Sequence, residues 1–396
     1  MALVPVNEAR ERILSAVKPL GKEDVSLAEA LGRVLAADVR AVRDQPPFPA
    51  SAMDGYAVKA GDDARLKVIG TSSAGHAFGK ALKRGEAVRI FTGAPVPKGG
   101  DAVVIQENTE QDGGDVIVSQ GPRVGQNIRR RGLDFKRGDI LLKAGIRLGP
   151  RDIGLAAAMN RPVLPVRKRP RVTMFTTGDE LVPPGGKPRA DQITSSNSMT
   201  LSAFIRHFGG EAQDLGIIAD TLKATMVAIR KAEGADILVT TGGASVGDHD
   251  FVREALEKSG IRLEFWKIAM RPGKPFMFAR RGRQRILGLP GNPVSAFVCA
   301  RLFVKPLLDA MLGMPAEKPL LRAILAEALP ENDQRQDYLR ATLIRAPDGT
   351  LTAEPFAVQD SSMQRTLTAA DGLIVRSAFA PAAAAGEAVD VLPLDF

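Results

Sequence analysis

The sequence has 396 residues, more than one ordinary hydrophobic core organises, so two to four domains are expected. It is 44% hydrophobic and 25% charged, and 54 Lys and Arg against 45 Asp and Glu give a net charge of +9. Its three histidines and one cysteine are too few for a cysteine–histidine zinc site or an internal disulfide. Chemistry is therefore expected from carboxylates, hydroxyls, backbone amides, Lys and Arg.

Nothing in the sequence predicts a membrane segment. No stretch of about 18 uninterrupted apolar residues occurs, and the first residues carry charges where a signal peptide has an apolar core. A single cysteine also fits a reducing compartment, so a cytoplasmic location is expected. The densest basic clusters, at 129–131 and 167–171, contain no aromatic residue that could stack on bases, so no nucleic-acid partner is expected.

The first forty residues predict two helices. Asn7 can cap a helix over 8–17. Ser26 and Glu29 form the S-x-x-E pattern of a capping box, in which two side chains satisfy backbone N–H groups, and so predict a second helix over 27–35.

A small β domain is expected over 44–124. This stretch is rich in Gly and Pro, and its β-prone runs lie at 66–69, 87–90 and 116–118. Residues 125–165 return to a mixed character. We therefore expect the β domain to be inserted into a mixed α/β domain made of 1–43 and 125–165.

Strands and helices alternate over 166–318, which is typical of an α/β domain with a mostly parallel sheet. The run 236–240 is almost continuously apolar, as in strands that are buried on both faces. Further strands are expected at 171–175, 275–279 and 285–287, and helices at 198–208, 221–233, 251–258 and 293–311. Residues 319–396, with short β runs and a Pro-Asp-Gly turn at 347–349, predict a small C-terminal β domain.

Three predicted strands of the α/β domain end in loops rich in Gly, Pro and Ser. The candidate ligand-binding residues in these loops are Gly178 and Asp179, then Gly242, Gly243, Ser245 and Gly247, and finally Pro290, Gly291, Asn292, Pro293 and Ser295. Ligands of parallel α/β sheets bind at the carboxyl ends of strands, where glycines let backbone N–H groups approach a phosphate. None of the loops is a Walker A or G-x-G-x-x-G motif. Together they predict a cradle for a phosphate or a pterin.

Carboxylates cluster at the same strand ends, as Asp179, Glu180, Asp220, Asp248 and Asp250. Oxygen ligands of this kind suit Mg²⁺. Asp220 and Asp250 could equally be helix N-caps, whereas Glu180 lies in a turn that needs no cap. The pattern predicts a magnesium site to which Glu180, Asp220 and Asp250 contribute.

Two further segments hold polar groups in rigid surroundings. Prolines stiffen 46–57 around Asp54, and Thr92 lies in a similar turn. Arg271 and Lys274 flank a Pro-Gly pair just before a strand, an arrangement that suits an oxyanion, although a solvated turn is the ordinary explanation.

These segments resemble the molybdopterin molybdenumtransferases of the MoeA family, whose fold also occurs in the C-terminal domain of gephyrin. The matching motifs are ASAMDGYA at 50–57, FTGA at 91–94, TGDEL at 177–181, TGG and SVGD within 241–248, RPGKP at 271–275 and LPGNP at 289–293. The resemblance covers nearly the whole chain. It implies a multidomain α/β plus β fold with four domains: an elongated mixed domain (1–43 and 125–165), an inserted β domain (44–124), a molybdopterin-binding α/β domain (166–318) and a β-barrel-like domain (319–396).

The resemblance also implies a function, the last step of molybdenum cofactor synthesis. Adenylylated molybdopterin and molybdate would react with Mg²⁺ as cofactor to give molybdenum cofactor and AMP. The implied partners are a second copy of the chain in a homodimer and, transiently, the adenylyltransferase and molybdoenzymes. Carried over by motif, the functional positions are Asp54, Thr92, Asp134, Glu180, Asp220, Asp250, Pro290 and Pro293, with Lys274, Ser295 and Arg340 helping to hold molybdate. Among these, Glu180, Asp54, Asp134 and Asp250 are expected to be catalytic.

One segment departs from the family pattern. Where the family has a Gly-Ser-Gly-like turn, this chain has Gln-Asp-Ser-Ser-Met-Gln at 359–364, so the contribution of this turn to the anion site stays open. Two alternative functions also stay open: a molybdopterin adenylyltransferase, which has a related α/β domain, and a scaffold of the gephyrin type. The expected oxyanion is molybdate or tungstate, two dianions of nearly the same size.

Overall fold

The computed structural model describes residues 3–242, 251–316 and 319–396. The chain forms two compact units, one of Asp24–Val166 (the 24–166 unit) and a larger one of Met1–Glu23 with Arg167–Phe396 (the larger unit). The α-helices are α1 (Val6–Leu14), α2 (Pro150–Ala158), α3 (Asn197–His207), α4 (Leu222–Lys231), α5 (Phe251–Lys258), α6 (Pro293–Cys299), α7 (Lys305–Leu312) and α8 (Gln364–Thr368). No helix in these ranges is long and apolar enough to cross a bilayer.

A six-stranded sheet occupies the middle of the 24–166 unit. The strands from the start of the chain to the end of this unit are β1 (Lys22–Ser26), β2 (Val39–Arg40), β3 (Ala50–Ser51), β4 (Gly55–Val58), β5 (Arg65–Ser72), β6 (Glu86–Ile90), β7 (Ala102–Ile105), β8 (Thr109–Asp112), β9 (Asp115–Val118), β10 (Ile128–Arg129), β11 (Ile140–Leu142) and β12 (Val163–Arg167). The sheet has the order β7-β4-β6-β5-β9-β8. The three β runs predicted within 44–124 are confirmed as parts of β5, β6 and β9. Gly55 is required in β4, because a Cβ there would lie 1.8 Å from the Val104 carbonyl oxygen.

The helix predicted over 27–35 is wrong. Only Leu27–Glu29 form a single turn of 3-10 helix. The hydroxyl of Ser26 donates to the Glu29 carboxylate at 2.8 Å, so the two side chains bond each other and do not cap backbone N–H groups. The chain then turns at Gly32, whose φ is +74° and whose N–H donates to the Leu148 carbonyl.

The α/β domain is built on a second six-stranded sheet. Its strands are β13 (Arg171–Thr177), β16 (Glu211–Ile218), β17 (Ile237–Thr241), β18 (Leu263–Lys267), β20 (Pro275–Arg281) and β21 (Gln284–Leu289), and the short strands beside it are β14 (Leu181–Val182), β15 (Ile193–Thr194) and β19 (Met270–Arg271). The order is β16-β13-β17-β21-β20-β18. The first four strands are parallel and the last two antiparallel to their neighbours, which confirms the α/β prediction. All residues of β17 are buried, as its apolar sequence predicts.

The helix predicted over 293–311 is confirmed, with one irregularity. A π-helical turn over Ala300–Val304 separates α6 from α7. The wider turn ends two residues before Pro306, which has no N–H to donate to an α-helical bond. The helix predicted over 221–233 corresponds to α4. Its N-cap is Thr221 and not Asp220, because the Thr221 hydroxyl accepts the Ala224 N–H at 3.3 Å.

The C-terminal strands close into a small barrel. They are β22 (Leu321–Leu325), β23 (Gln336–Arg345), β24 (Leu351–Pro355), β25 (Gly372–Arg376) and β26 (Ala388–Pro393). Pairing runs β23-β24-β22-β26-β25 and returns from β25 to β23. The predicted turn at 347–349 is confirmed as the connection between β23 and β24, where Gly349 has a φ of +89°. The expected C-terminal β domain is therefore a closed five-stranded barrel.

Helix α1 belongs to the larger unit and not to the 24–166 unit that follows it in the sequence. Its apolar residues Val6, Ala9 and Ile13 are buried in the core of the α/β domain. At its carboxyl end, the guanidinium of Arg285 donates to the carbonyl oxygens of Ile13 at 3.2 Å and Ser15 at 2.7 Å. Because an arginine satisfies these carbonyls, the end of the helix is held by a strand that follows about 270 residues later.

Candidate functional site

The three strand-end loops lie against one another at the carboxyl edge of the α/β sheet. Gly242 follows β17 with a φ of +79°, and a Cβ on it would lie 2.3 Å from the Thr177 carbonyl oxygen. A Cβ on Gly291 would lie 3.7 Å from the Cα of Gly242. The backbones of the loops therefore meet at Gly242, where no side chain fits. The structure brings together Gly178, Gly242 and Gly291, as the strand ends predict.

Residues at the start of α3 and just before it complete this cradle, and sequence reasoning missed them. Asn197 is buried, and its Nδ2 donates to the Gly291 carbonyl at 2.7 Å. Ser195 and Ser198 are buried beside it in the chain. Small polar residues before a helix are ordinarily N-caps, and the run Ser-Ser-Asn-Ser at 195–198 exceeds what one cap needs. The length of this polar run is the feature of the sequence that could have indicated a binding role.

Two hydroxyls around the cradle have no partner in the described part of the chain. Thr177 and Ser195 are each 3% exposed, and their side-chain oxygens are buried without a hydrogen bond. Buried hydroxyls in folded proteins are nearly always paired, because leaving one unpaired costs free energy. These two oxygens therefore mark places where a polar group of a ligand can bind.

The acidic residues of the first loop face the next strand. Asp179 accepts the backbone N–H of Asp220 at 3.3 Å. Thr177 and Ile218 are register partners in β13 and β16, so Asp179 and Asp220 each follow two residues later at the same edge. The carboxylate of Glu180 folds back over Gly178, within 2.6 to 2.9 Å of where a Cβ would be.

Asp179 and Asp220 are two described carboxylates that lie close together at this edge. Over 3–242, 251–316 and 319–396, no group of three His, Cys, Asp or Glu side chains is placed to hold a metal ion. Mg²⁺, however, is commonly bound by one or two carboxylates together with substrate phosphates. Asp179 and Asp220 fit that requirement. Gly243, Ser245, Gly247 and Asp250, which the sequence predicts at this site, lie outside the described residues, as does Asp248.

The third loop is covered by a segment of the barrel domain. Asn292 Nδ2 donates to the Ser361 hydroxyl at 2.7 Å, and the Val294 N–H donates to the Ser361 carbonyl at 3.0 Å. Gln364 Nε2 also donates to the Ser196 hydroxyl. Around these contacts Pro290 is buried, Pro293 is the first residue of α6, and Ser295 is buried in its first turn. The segment 359–364, whose sequence departs from the family pattern, therefore lies at the cradle.

The side chain of Arg340, in β23, reaches the same segment. It is 1% exposed, and its guanidinium donates to the carbonyl oxygens of Val358, Asp360 and Met363 at 3.0 to 3.4 Å. Burial lowers the pKa of Arg340 from its ordinary value. The side chain therefore binds the backbone of the segment.

Arg271 and Lys274, close in sequence, line different cavities. Arg271 borders a cavity of about 450 Å³ and donates to the buried Asp337 carboxylate, with an Nε distance of 2.9 Å. Lys274 is exposed and lines a depression of about 700 Å³ with Lys267 and Phe379. The structure does not place these two cations in one pocket.

Asp54 and Thr92 form a pair in the 24–166 unit. The Asp54 carboxylate accepts the Thr92 N–H at 2.7 Å and the Thr92 hydroxyl at 2.8 Å. Both bonds lower the pKa of Asp54, and the bond from the backbone N–H has the larger effect. Asp134 is exposed on a separate turn, where its N–H donates to the Gln45 carbonyl. Two hydrogen bonds therefore hold the Asp54 carboxylate in place within the proline-rich loop.

Known proteins resemble this chain over its whole length. Three family models match it: the MoeA N-terminal region (domain I and II) over residues 4–160, a probable molybdopterin binding domain over 173–310, and the MoeA C-terminal region (domain IV) over 322–394. Two curated relatives are named molybdopterin molybdenumtransferase. The protein from Haemophilus influenzae is 35% identical over 401 residues and covers 99% of each chain. The protein from Bacillus subtilis is 34% identical over 403 residues, covering 98% of this chain and 94% of its own.

Solved structures agree in fold. A crystal structure of the molybdopterin biosynthesis MoeA protein from Pyrococcus horikoshii has a TM-score of 0.86 at 30% identity and covers 100% of both chains. A second structure of the protein from this organism has a TM-score of 0.82 at 28% identity, covering 98% of this chain and 99% of its own. The fold class predicted from the sequence is confirmed.

Proposed function

The chain belongs to the MoeA family of molybdopterin molybdenumtransferases, and from this membership we propose that it inserts molybdenum into adenylylated molybdopterin and releases AMP. The observation that supports this most directly is the meeting of three strand-end loops at Gly242. A pterin joined to adenosine through a pyrophosphate is rich in hydrogen-bonding oxygens and nitrogens. It would supply the partners that the buried hydroxyls of Thr177 and Ser195 lack.

Magnesium is part of this proposal. Asp179 and Asp220 would hold Mg²⁺ together with oxygens of the substrate. A bound Mg²⁺ would draw negative charge from the phosphoanhydride that is cleaved. Glu180, which is exposed beside Gly178, would orient the water that adds to this bond, and the proton of that water would pass to its carboxylate.

Molybdate, the second substrate, is a dianion. Ser295 and Ser361 would donate hydroxyl hydrogen bonds to it, since both belong to the segments that meet at the third loop. Lys274 and the net charge of +9 would favour the approach of two anionic substrates. Cytoplasmic action fits the single, buried cysteine. Contact with the adenylyltransferase, which supplies the substrate, and with molybdoenzymes, which accept the product, completes the proposal.

The decisive experiment is turnover with adenylylated molybdopterin, molybdate and Mg²⁺, following AMP by chromatography. Glu180→Ala should lower kcat by about 100-fold or more, because a positioned general base contributes that much. Asp191→Ala is the matched control, since Asp191 is an exposed acid in the connection between β14 and β15 that pairs with Arg189, and it should leave kcat unchanged. Release of pyrophosphate from ATP and unadenylylated molybdopterin would instead identify an adenylyltransferase. If neither product formed, a scaffold would be the better interpretation.

A homodimer is also proposed, with Asp54 of one chain serving the same site as Glu180 of its partner. Complementation tests it: Asp54→Ala and Glu180→Ala are purified separately, then mixed under conditions that exchange subunits. In a two-fold dimer, random exchange should restore about a quarter of the wild-type activity, because hybrid dimers contain one intact site. If the mixture stayed as inactive as its components, the shared site would be rejected.

A further inference from the structure

Gln359 ties the segment that contacts the third loop to Arg340 in β23, a set of bonds that we call the clasp. Its Nε2 donates to the carbonyl oxygens of Arg340 and Phe356, both at 2.9 Å. Its Oε1 accepts the Arg340 N–H at 3.0 Å and the Arg340 Nε–H at 3.3 Å. A carboxamide has two donors and one oxygen with two lone pairs, so every bonding position of Gln359 is used.

Arg340 extends the clasp to the rest of the segment. Its guanidinium donates to carbonyl oxygens on both sides of Ser361, those of Asp360 at 3.0 Å and Met363 at 3.2 Å. An arginine has five N–H donors in a planar fork and can bind several carbonyls at fixed angles. The backbone on either side of Ser361 is therefore held from behind by a buried side chain.

The outer face of the segment contacts the candidate site. The Ser361 carbonyl accepts the Val294 N–H, one of the N–H groups that the first turn of α6 leaves unpaired. Asn292, the N-cap residue of α6, makes no capping bond and donates instead to the Ser361 hydroxyl. Ser361 thus accepts one N–H from the first turn of α6, the turn that also contains the buried Ser295.

We propose that Gln359 is a positioning residue for the molybdate end of the site. It holds Arg340, and the two side chains fix the backbone of 358–363, so that Ser361 is presented to the third loop in one conformation. The segment contains no glycine, and this clasp explains how it keeps its shape as a loop. The inference rests on the proposed function, because it concerns how that site binds its oxyanion.

Steady-state kinetics with two variants and their combination test the proposal. Gln359→Ala should raise the KM for molybdate about 10-fold, the loss expected when a hydrogen bond of about 1.4 kcal/mol is misplaced, and should change kcat less than threefold. Ser361→Ala should have a similar effect. The double variant should be no worse than Ser361→Ala alone, because residues that act through one another are not additive.

Two further variants separate positioning from general destabilisation. Gln359→Glu keeps an oxygen acceptor for Arg340 but loses the two N–H donors, so its KM for molybdate should lie between those of the wild type and Gln359→Ala. If Gln359→Ala does not fold, Gln359→Glu replaces it in the test. Gln120→Ala, at an exposed glutamine of the 24–166 unit, should have wild-type constants. Additive effects of Gln359→Ala and Ser361→Ala, or a molybdate KM unchanged in both Gln359 variants, would overturn the proposal.

Hydrogen exchange without substrate keeps this test independent of the proposed activity. Amides of 358–363 should exchange at least about 10-fold faster in Gln359→Ala than in the wild type, since the clasp no longer limits local opening. If the wild type released no AMP, the proposed function would fail, while this exchange result would still establish the clasp. Unchanged exchange would refute the clasp whatever the activity.

Discussion

Replacing Thr177 with valine should make the protein more stable and its substrate affinity weaker. The Thr177 hydroxyl is buried at the end of β13 without a hydrogen-bond partner in the described chain. An unpaired buried hydroxyl costs about 1–3 kcal/mol, and valine has nearly the same shape and suits a strand. We expect the free energy of unfolding of the larger unit to rise by about 1 kcal/mol, or Tm by about 2–4 °C.

Thr173→Val is the matched control on the same strand. Thr173 is also buried, but its hydroxyl donates to Gln213 Oε1 at 3.2 Å. Removing this bond should lower the free energy of unfolding by about 0.5–1 kcal/mol, since Gln213 is exposed and water can replace the donor. The two substitutions are chemically identical and should shift Tm in opposite directions, which calorimetry measures directly.

The same Thr177→Val variant should bind the adenylylated pterin less well. If the ligand pairs with this hydroxyl, KM should rise about 5- to 10-fold, the equivalent of one hydrogen bond of about 1–1.4 kcal/mol. A Tm below that of the wild type would show that the hydroxyl is satisfied in the free protein. An unchanged KM would show that the ligand does not use it. Either result would refute the interpretation of unpaired hydroxyls as ligand contacts.

Three other substitutions and measurements test separate features. Gly242→Ala should lower the free energy of unfolding, measured by urea titration, by more than about 2 kcal/mol and abolish AMP release, because its Cβ would lie 2.3 Å from a carbonyl oxygen at positive φ. Gly154→Ala in α2 is the control: the space around Gly154 is open, so this substitution should be neutral or stabilising. Thr92→Val should raise the pKa of Asp54 toward its ordinary value in carboxyl NMR titrations, since one of the two Thr92 donors is lost. Because the folded-state pKa of Asp54 is the lower one, this carboxylate stabilises the fold above its unfolded pKa and loses that effect as the pH falls through the folded value. Burial raises the pKa of the Cys299 thiol, so this cysteine should not react with a thiol reagent in the native protein at pH 8 and should react fully in denaturant.

The sequence predicted the parts of the fold that depend on local pattern. Apolar runs such as 236–240 became buried strands, and the Pro-Asp-Gly turn became a strand connection. Capping signals were less reliable, because a hydroxyl and a carboxylate three residues apart can also bond each other. Ser26 and Glu29 do so, and the helix expected after them is absent.

The candidate site was predictable where it follows from the topology of a parallel sheet. The carboxyl ends of β13, β17 and β21 meet at one edge, which brings Gly178, Gly242 and Gly291 together as expected. Contacts that do not follow from this sheet topology were not predictable, because no local pattern encodes them. The bond from Asn197 to Gly291 spans 94 residues, and the clasp of Gln359 on Arg340 joins a loop residue to a strand residue 19 positions earlier.

The attachment of α1 has a consequence for vectorial synthesis on the ribosome. Its carboxyl end is held by Arg285, which emerges some 270 residues after the helix itself. At 5–20 residues per second, the helix waits roughly 15–55 s for that partner, while the whole 24–166 unit has already been made. A nascent chain stopped at residue 166 would therefore carry one unit able to pack its own core and an N-terminal helix whose Val6, Ala9 and Ile13 have nothing to bury them, which makes such fragments candidates for chaperone binding.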